Sequence, residues 1–118
     1  MREVYGGARI VTFVTKNLGK SRAFWVDRLG FSVVKEEPDR FVMLNAGTFR
    51  LCIDRADGPH PAKGGGAALT FRVRNVAKTA KELDARGVAY ESFTGPRVGD
   101  YLETSDPDGY RIVFAERL

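Results

Sequence analysis

The sequence predicts an α+β domain built from two copies of one strand–helix–three-strand unit. Three observations predict it. An internal repeat lays residues 12–30 onto residues 70–87 at a constant offset, broken by a one-residue gap near Leu29. An asparagine and a glycine bracket each predicted helix, and an Asp-Pro-Asp-Gly run precedes the last predicted strand.

The repeat pairs Thr12 with Thr70, Phe13 with Phe71, Asn17 with Asn75, Lys20 with Lys78, Ser21 with Thr79, Arg28 with Arg86 and Gly30 with Gly87. Each pair has the same structural task in both halves. Residues 10–15 and 68–73 are rich in Val, Ile, Phe and Thr and read as strands. Asn17 and Asn75 stand at the N-cap, where a side-chain oxygen accepts from an otherwise unpaired backbone N–H. In the first helix Leu18, Trp25 and Leu29 share a face, with Ser21 and Phe24 beside them. In the second, Val76, Ala80 and Leu83 recur at amphipathic spacing. Gly30 and Gly87 then end the helices in the left-handed backbone that glycine adopts cheaply.

Strands follow at 31–36, 41–45 and 48–54 in the first half and at 88–93, 101–104 and 110–116 in the second. Ala46-Gly47 and Asp106-Pro107-Asp108-Gly109 supply the turns before the last strand of each half. Between the halves runs a Pro- and Gly-rich linker, residues 56–66, holding the single histidine, His60, between two prolines. The expected division is one domain over residues 1–118, with a first module at 8–55 and a second at 67–117.

Charge and composition exclude several partner classes. The formal charge is +4, but the 19 Lys and Arg residues are interleaved with 15 acids and form no basic stripe, so no nucleic-acid partner is expected. Residues 1–7 hold no apolar signal segment, and no run approaches the roughly 18 apolar residues that span a membrane. A single cysteine, Cys52, forms no internal disulfide and suits a reducing compartment. A cytoplasmic protein without membrane association is expected.

The doubled unit resembles the vicinal oxygen chelate superfamily. The resemblance rests on Phe24-Trp25 shortly before Asp27-Arg28-Leu29-Gly30-Phe31, together with Asp106-Pro107-Asp108-Gly109 near the end. That group includes glyoxalases, bleomycin- and fosfomycin-resistance proteins and extradiol dioxygenases. It implies half-barrel modules, often from two chains, whose curved mixed sheets surround a cavity that holds the site. In metal-using members the ligands sit on the first and last strands of each module. The matching positions here are Ile10, Ala68, Val113 and Cys52, so the resemblance is to a metal-free member, with no cofactor and no catalytic residue expected.

What remains is a small-molecule binding protein of the resistance type that sequesters an antibiotic or other natural product in a homodimer. The ligand expected from the charge is aromatic and neutral or anionic. Strand alternation places Ile10, Thr12, Arg50, Cys52, Ala68, Thr70, Arg72, Arg111 and Val113 on the ligand face. Phe41, Met43 and Tyr101 are candidate walls, with core or dimer interface as their other reading. Trp25 is a candidate stacking partner, although its place on the buried helix stripe favours core packing. Arg50 and Arg111 either contact the ligand or pair with acids such as Asp54 or Glu103. Cys52, with no histidine in reach, reads as an inert small hydrophobe. Two rivals stand beside this reading: a lyase or isomerase using Glu103, Glu91 or Asp54 for acid–base work or an unrecognised metal site, and an interaction module whose groove is filled by its own side chains.

Overall fold

A computed structural model describes residues 10–56, 68–96 and 98–117. The first half forms β1 (Ile10–Thr15), α1 (Leu18–Arg22) with a π-helical continuation (Ala23–Arg28), β2 (Val33–Glu37), β3 (Phe41–Asn45) and β4 (Arg50–Arg55). The second forms β5 (Ala68–Arg72), α2 (Val76–Ala85), β6 (Glu91–Gly95), β7 (Gly99–Ser105) and β8 (Arg111–Ala115). The expected linker, with His60 and the glycines 64–66, falls outside the described residues except for Ala56. No described helix is long and apolar enough to cross a membrane.

Each half makes one four-stranded sheet, ordered β1-β4-β3-β2 and β5-β8-β7-β6, as the repeat requires. In both, the first strand runs parallel to the last and the other pairings are antiparallel. The registers also repeat: Thr12 lies opposite Cys52 in one sheet and Thr70 opposite Val113 in the other.

Both helices start as their sequences predict. Asn17 accepts from Lys20 N–H at 3.0 Å and Asn75 from Lys78 N–H at 2.9 Å, the same cap in each half. They then diverge. Leu29 N–H donates to Phe24 O at 2.9 Å, a bond one residue longer than the α-helical one. This wide turn takes up the extra residue that appears as the gap in the repeat, and it presents Trp25 to the core. The amphipathic spacing carries no sign of it. Strand starts differ as well, because 88–90 are not yet in the sheet: Val88 N–H instead closes α2 on Leu83 O at 2.9 Å.

One apolar core serves both sheets. Alternate strand residues enter it, including Phe13, Val42, Leu44, Leu51 and Ile53 from the first sheet and Leu102, Ile112 and Phe114 from the second, joined by Trp25 and Leu83 from the helices. Each large apolar side chain buried there contributes about 1.5–3 kcal/mol.

Polar contacts fix how the halves meet. Trp25, fully buried, donates its indole N–H to Asp106 Oδ2 at 3.2 Å. Asp106 Oδ1 accepts from the backbone N–H groups of Asp108 and Tyr110, both at 2.9 Å. The Tyr110 ring stacks on Phe13 at 3.8 Å, and its hydroxyl accepts from Val14 N–H and donates to Val14 O at the outer edge of β1. At the other end the helix termini exchange arginines: Arg28 Nη1 reaches Gly87 O at 3.4 Å and Arg86 Nη1 reaches Arg28 O at 3.2 Å. Gly30, at φ 80°, lets this happen, since a Cβ there would lie 3.0 Å from Arg86 Nη1.

Asp106 therefore does more than form the turn assigned to it from the sequence. Burial pushes its carboxyl pKa above the ordinary value of 3.8, against the opposing pull of its three hydrogen bonds. Asp106→Ala is expected to cost about 3 kcal/mol in chemical denaturation, because Trp25 and the turn N–H groups lose their acceptor. The group's own titration favours the fold fully below pH 3.8, and that contribution is lost as pH rises through the raised value. As pH rises above 3.8 and through that raised value the wild type is accordingly expected to lose stability relative to Asp106→Asn, which cannot ionise; parallel curves for the two proteins would contradict this assignment.

Candidate functional site

Strand residues that alternate with the core residues point to the opposite side, giving each sheet an open face. On the first sheet this face holds Thr12 beside Cys52, Cys52 beside Met43, Phe41 beside Asp54 and Ile10 beside Arg50. On the second it holds Thr70 beside Val113, Val113 beside Glu103 and Ala68 beside Arg111, with the row Arg72, Ala115, Tyr101, Phe93 running across all four strands. Twelve of the thirteen side chains selected from the sequence lie on these faces. Trp25 does not. It is buried with its N–H on Asp106, so a ligand on either face has no access to it.

The two sets of residues are not brought together within one chain. Both sheets turn the same side to the shared core, so the open faces look away from it and the sheets do not close around a common cavity. The cavities on the open faces each draw on one module. One of about 220 Å³ is lined by Ala68, Thr70, Val98, Tyr101, Arg111 and Val113 among others. A larger cavity, of about 710 Å³, lies mainly on the other side of the second sheet, between α2 and the β6–β7 hairpin, lined by Val76, Ala80, Ser92, Asp100, Leu102 and Glu116 among others. On the first sheet a hollow of about 350 Å³ is lined by Asp39, Arg40, Phe41, Asp54 and Arg55.

Of the two accounts of the arginines, acid pairing describes Arg111. Its Nε donates to Glu103 Oε1 at 2.8 Å, and its Nη2 binds the same oxygen. Arg50 instead donates to the neutral Asn45 Oδ1 at 3.3 Å. Cys52 Sγ donates to Asp54 Oδ1 at 3.1 Å. Burial, then this hydrogen bond and the carboxylate charge, push the Cys52 thiol up to about 12, so it is protonated at neutral pH.

These positions do not suit a metal ion. A divalent ion needs several N, O or S donors converging on it. Ile10, Ala68 and Val113 have no side-chain donor, which leaves the Cys52 thiol as the single donor among the four. Among the described residues no three His, Cys, Asp or Glu side chains gather. A carboxyl with a raised pKa does exist, but it is Asp106, on the core side behind Trp25.

Phe93 was not singled out by sequence. It is 38% exposed, and its ring lies near-parallel to Tyr101 at 5.4 Å and 27°. The alternation of Glu91, Phe93 and Gly95 with Ser92 and Thr94 is the signal that could have placed it beside Tyr101.

Solved structures share this fold. An antibiotic binding protein, TnmS3, from Streptomyces sp. CB03234 is 20% identical, with 98% of each chain covered and a TM-score of 0.78. A glyoxalase family protein from Enterococcus faecalis is 23% identical over 95% of this chain and 98% of its own, with a TM-score of 0.77. The lactoylglutathione lyase of Agrobacterium tumefaciens is 17% identical over 95% and 94%, with a TM-score of 0.71. At these identities the likeness concerns fold alone. No curated protein sequence matches the chain. The family model for the Glyoxalase/Bleomycin resistance protein/Dioxygenase superfamily matches residues 8–114, and the chain belongs to that superfamily.

Proposed function

We propose that this protein binds an organic small molecule, an antibiotic or other natural product, on the open faces of its sheets and sequesters it without a metal ion and without transforming it. The observation that carries this reading is the side-chain set at the four strand positions where metal-using relatives hold their ligands. Three lack donor atoms, and the fourth is a lone thiol, too few donors to hold a divalent ion. The fold likeness to an antibiotic binding protein supports the same direction. Binding on such faces rests on shape, apolar contact and a few fixed polar groups.

A homodimer in the cytoplasm completes the proposal. Each chain offers two outward-looking faces with exposed apolar side chains, Ile10 at 54% and Phe93 at 38%, and a second copy supplies the opposite wall. The acid–base alternative finds two of its three carboxylates already engaged, Glu103 by Arg111 and Asp54 by Cys52, which leaves Glu91 as its remaining candidate.

Protein purified without chelators is expected to carry far less than one equivalent of any transition metal by elemental analysis, and added zinc, nickel or manganese is expected to leave its melting temperature unchanged. One tightly held equivalent would refute the metal-free reading. Calorimetry against a panel of aromatic natural-product antibiotics is expected to give saturable binding that survives chelation, with no new product in the recovered ligand; a folded dimer that binds none of them would refute sequestration. Cys52 is expected to react slowly with a thiol reagent at about pH 8, and Asp54→Ala to raise the rate severalfold by removing the hydrogen bond and charge that help hold the proton.

A further inference from the structure

The two modules treat the space between helix and sheet differently. In the first, Arg22 on α1 reaches across to β2, with its Nη2 at 3.0 Å and its Nε at 3.4 Å from Glu36 Oε2. Both side chains are partly exposed, so the pair stabilises the fold little. It does fill the gap. The second module has the same gap without these side chains. The repeat lays Arg22 on Ala80. Val42 and Leu102 also match, because each leads through its neighbour, Ile53 or Phe114, to the paired Phe13 and Phe71. Glu36 stands opposite Val42 and Ser92 opposite Leu102, so Ser92 holds the place of Glu36. A methyl and a hydroxymethyl group thus replace a guanidinium and a carboxylate, and beside them lies the cavity of about 710 Å³.

Charge reverses at the mouth of this cavity. Two residues beyond the matched pairs, the first module has Arg40 and Arg55 where the second has Asp100 and Glu116. Each acid has one oxygen engaged: Asp100 Oδ1 accepts from Thr94 Oγ1, and Glu116 Oε1 from the Val76 N–H at the start of α2, both at 2.6 Å. Asp100 Oδ2 and Glu116 Oε2 have no hydrogen-bond donor among the described residues. Arg117 also lines the cavity, beside Gly99, but no ion pair among the described residues joins it to either acid. The whole chain is +4, yet the described lining sets two carboxylates against one guanidinium.

From this geometry we infer that the groove between α2 and the β6–β7 hairpin is a second binding site, which takes a small alkyl cation with a guanidinium or primary ammonium head. The head lies between Asp100 and Glu116, where both free oxygens accept charge-assisted hydrogen bonds. Its alkyl chain runs along Val76 and Ala80 into the space that Arg22 fills in the other half. An anionic head meets like charge there, and an uncharged one forgoes the charge-assisted bonds. The site lies behind the second sheet, on the side away from Thr70 and Val113, and it does not depend on what the open faces bind.

Butylguanidinium, with butylurea as its uncharged isostere and pentanoate as an anion, tests this by amide NMR titration of the full-length protein. The guanidinium is expected to bind saturably and to shift the amides of Val76, Ala80 and Ser92, with butylurea roughly tenfold weaker and pentanoate without effect. Its affinity is expected to fall about threefold or more between about 0.02 and 0.2 M salt, because the carboxylates lie near the surface. Asp100→Asn, and Glu116→Gln, which keeps an acceptor for the Val76 N–H, are each expected to weaken binding roughly three- to tenfold. The decisive variant grafts the first module's pair: Ala80→Arg with Ser92→Glu is expected to remove binding while the melting temperature stays at or above that of the wild type. No saturable shift with the folded wild type, butylurea binding as tightly as the guanidinium, or binding that survives the graft would overturn the inference. Shifts centred on Thr70 and Val113 would place the cation on the open face and overturn it as well. None of these outcomes decides whether a natural product binds the open faces.

Discussion

Trp25 donates a hydrogen bond from its indole N–H to Asp106 across 81 residues of chain, and the same carboxylate gathers the N–H groups of the turn ahead of β8. The last turn of the second module is thus built around a side chain of the first. With Tyr110 laid on Phe13 and tied to Val14, this contact sets the two sheets against one core with their other sides turned outward. Everything said about the open faces depends on that arrangement. Were the halves joined the other way round, Thr12, Cys52, Thr70 and Val113 would be core and the question of a ligand would not arise.

The two halves have kept their inner sides alike and let their outer sides drift. Phe13 and Phe71 do the same job, as do the paired asparagine caps. On the open faces Ile10 corresponds to Ala68 and Cys52 to Val113, and the aromatic pair belongs to the second sheet alone. Core positions are held by close packing, which penalises even one methylene too many or too few. An open face answers only to what it contacts. This is why membership of a superfamily that supports several chemistries does not decide among them, and why the reading rests on the side chains at a few strand positions.

Much of the fold was legible because the determining signals are local. Asn17, Asn75, Gly30, Gly87 and the Asp106–Gly109 turn each act through their own backbone, and the strand alternation that separates Leu51 and Ile53 from Arg50 and Cys52 is visible in the residues themselves. Three features were not. The wide π-helical turn shows in the sequence only as a missing partner for Leu29. The pairing of Arg111 with Glu103, rather than Asp54, depends on β7 lying next to β8, which only the register decides. The outward direction of both faces depends on contacts such as Trp25 with Asp106 that join distant segments. The site was therefore readable as a set of residues, but not as an arrangement.

The arginine exchange at the helix ends carries a consequence for how such a chain could arise. Arg28 and Arg86 occupy equivalent places in the repeat, and each reaches a backbone carbonyl at the end of the other half's helix. A contact of that reciprocal kind is what a half-length ancestor would form twice when paired with its own duplicate, around a twofold axis. Fusing two such copies would preserve the bond while freeing each outer surface to change on its own.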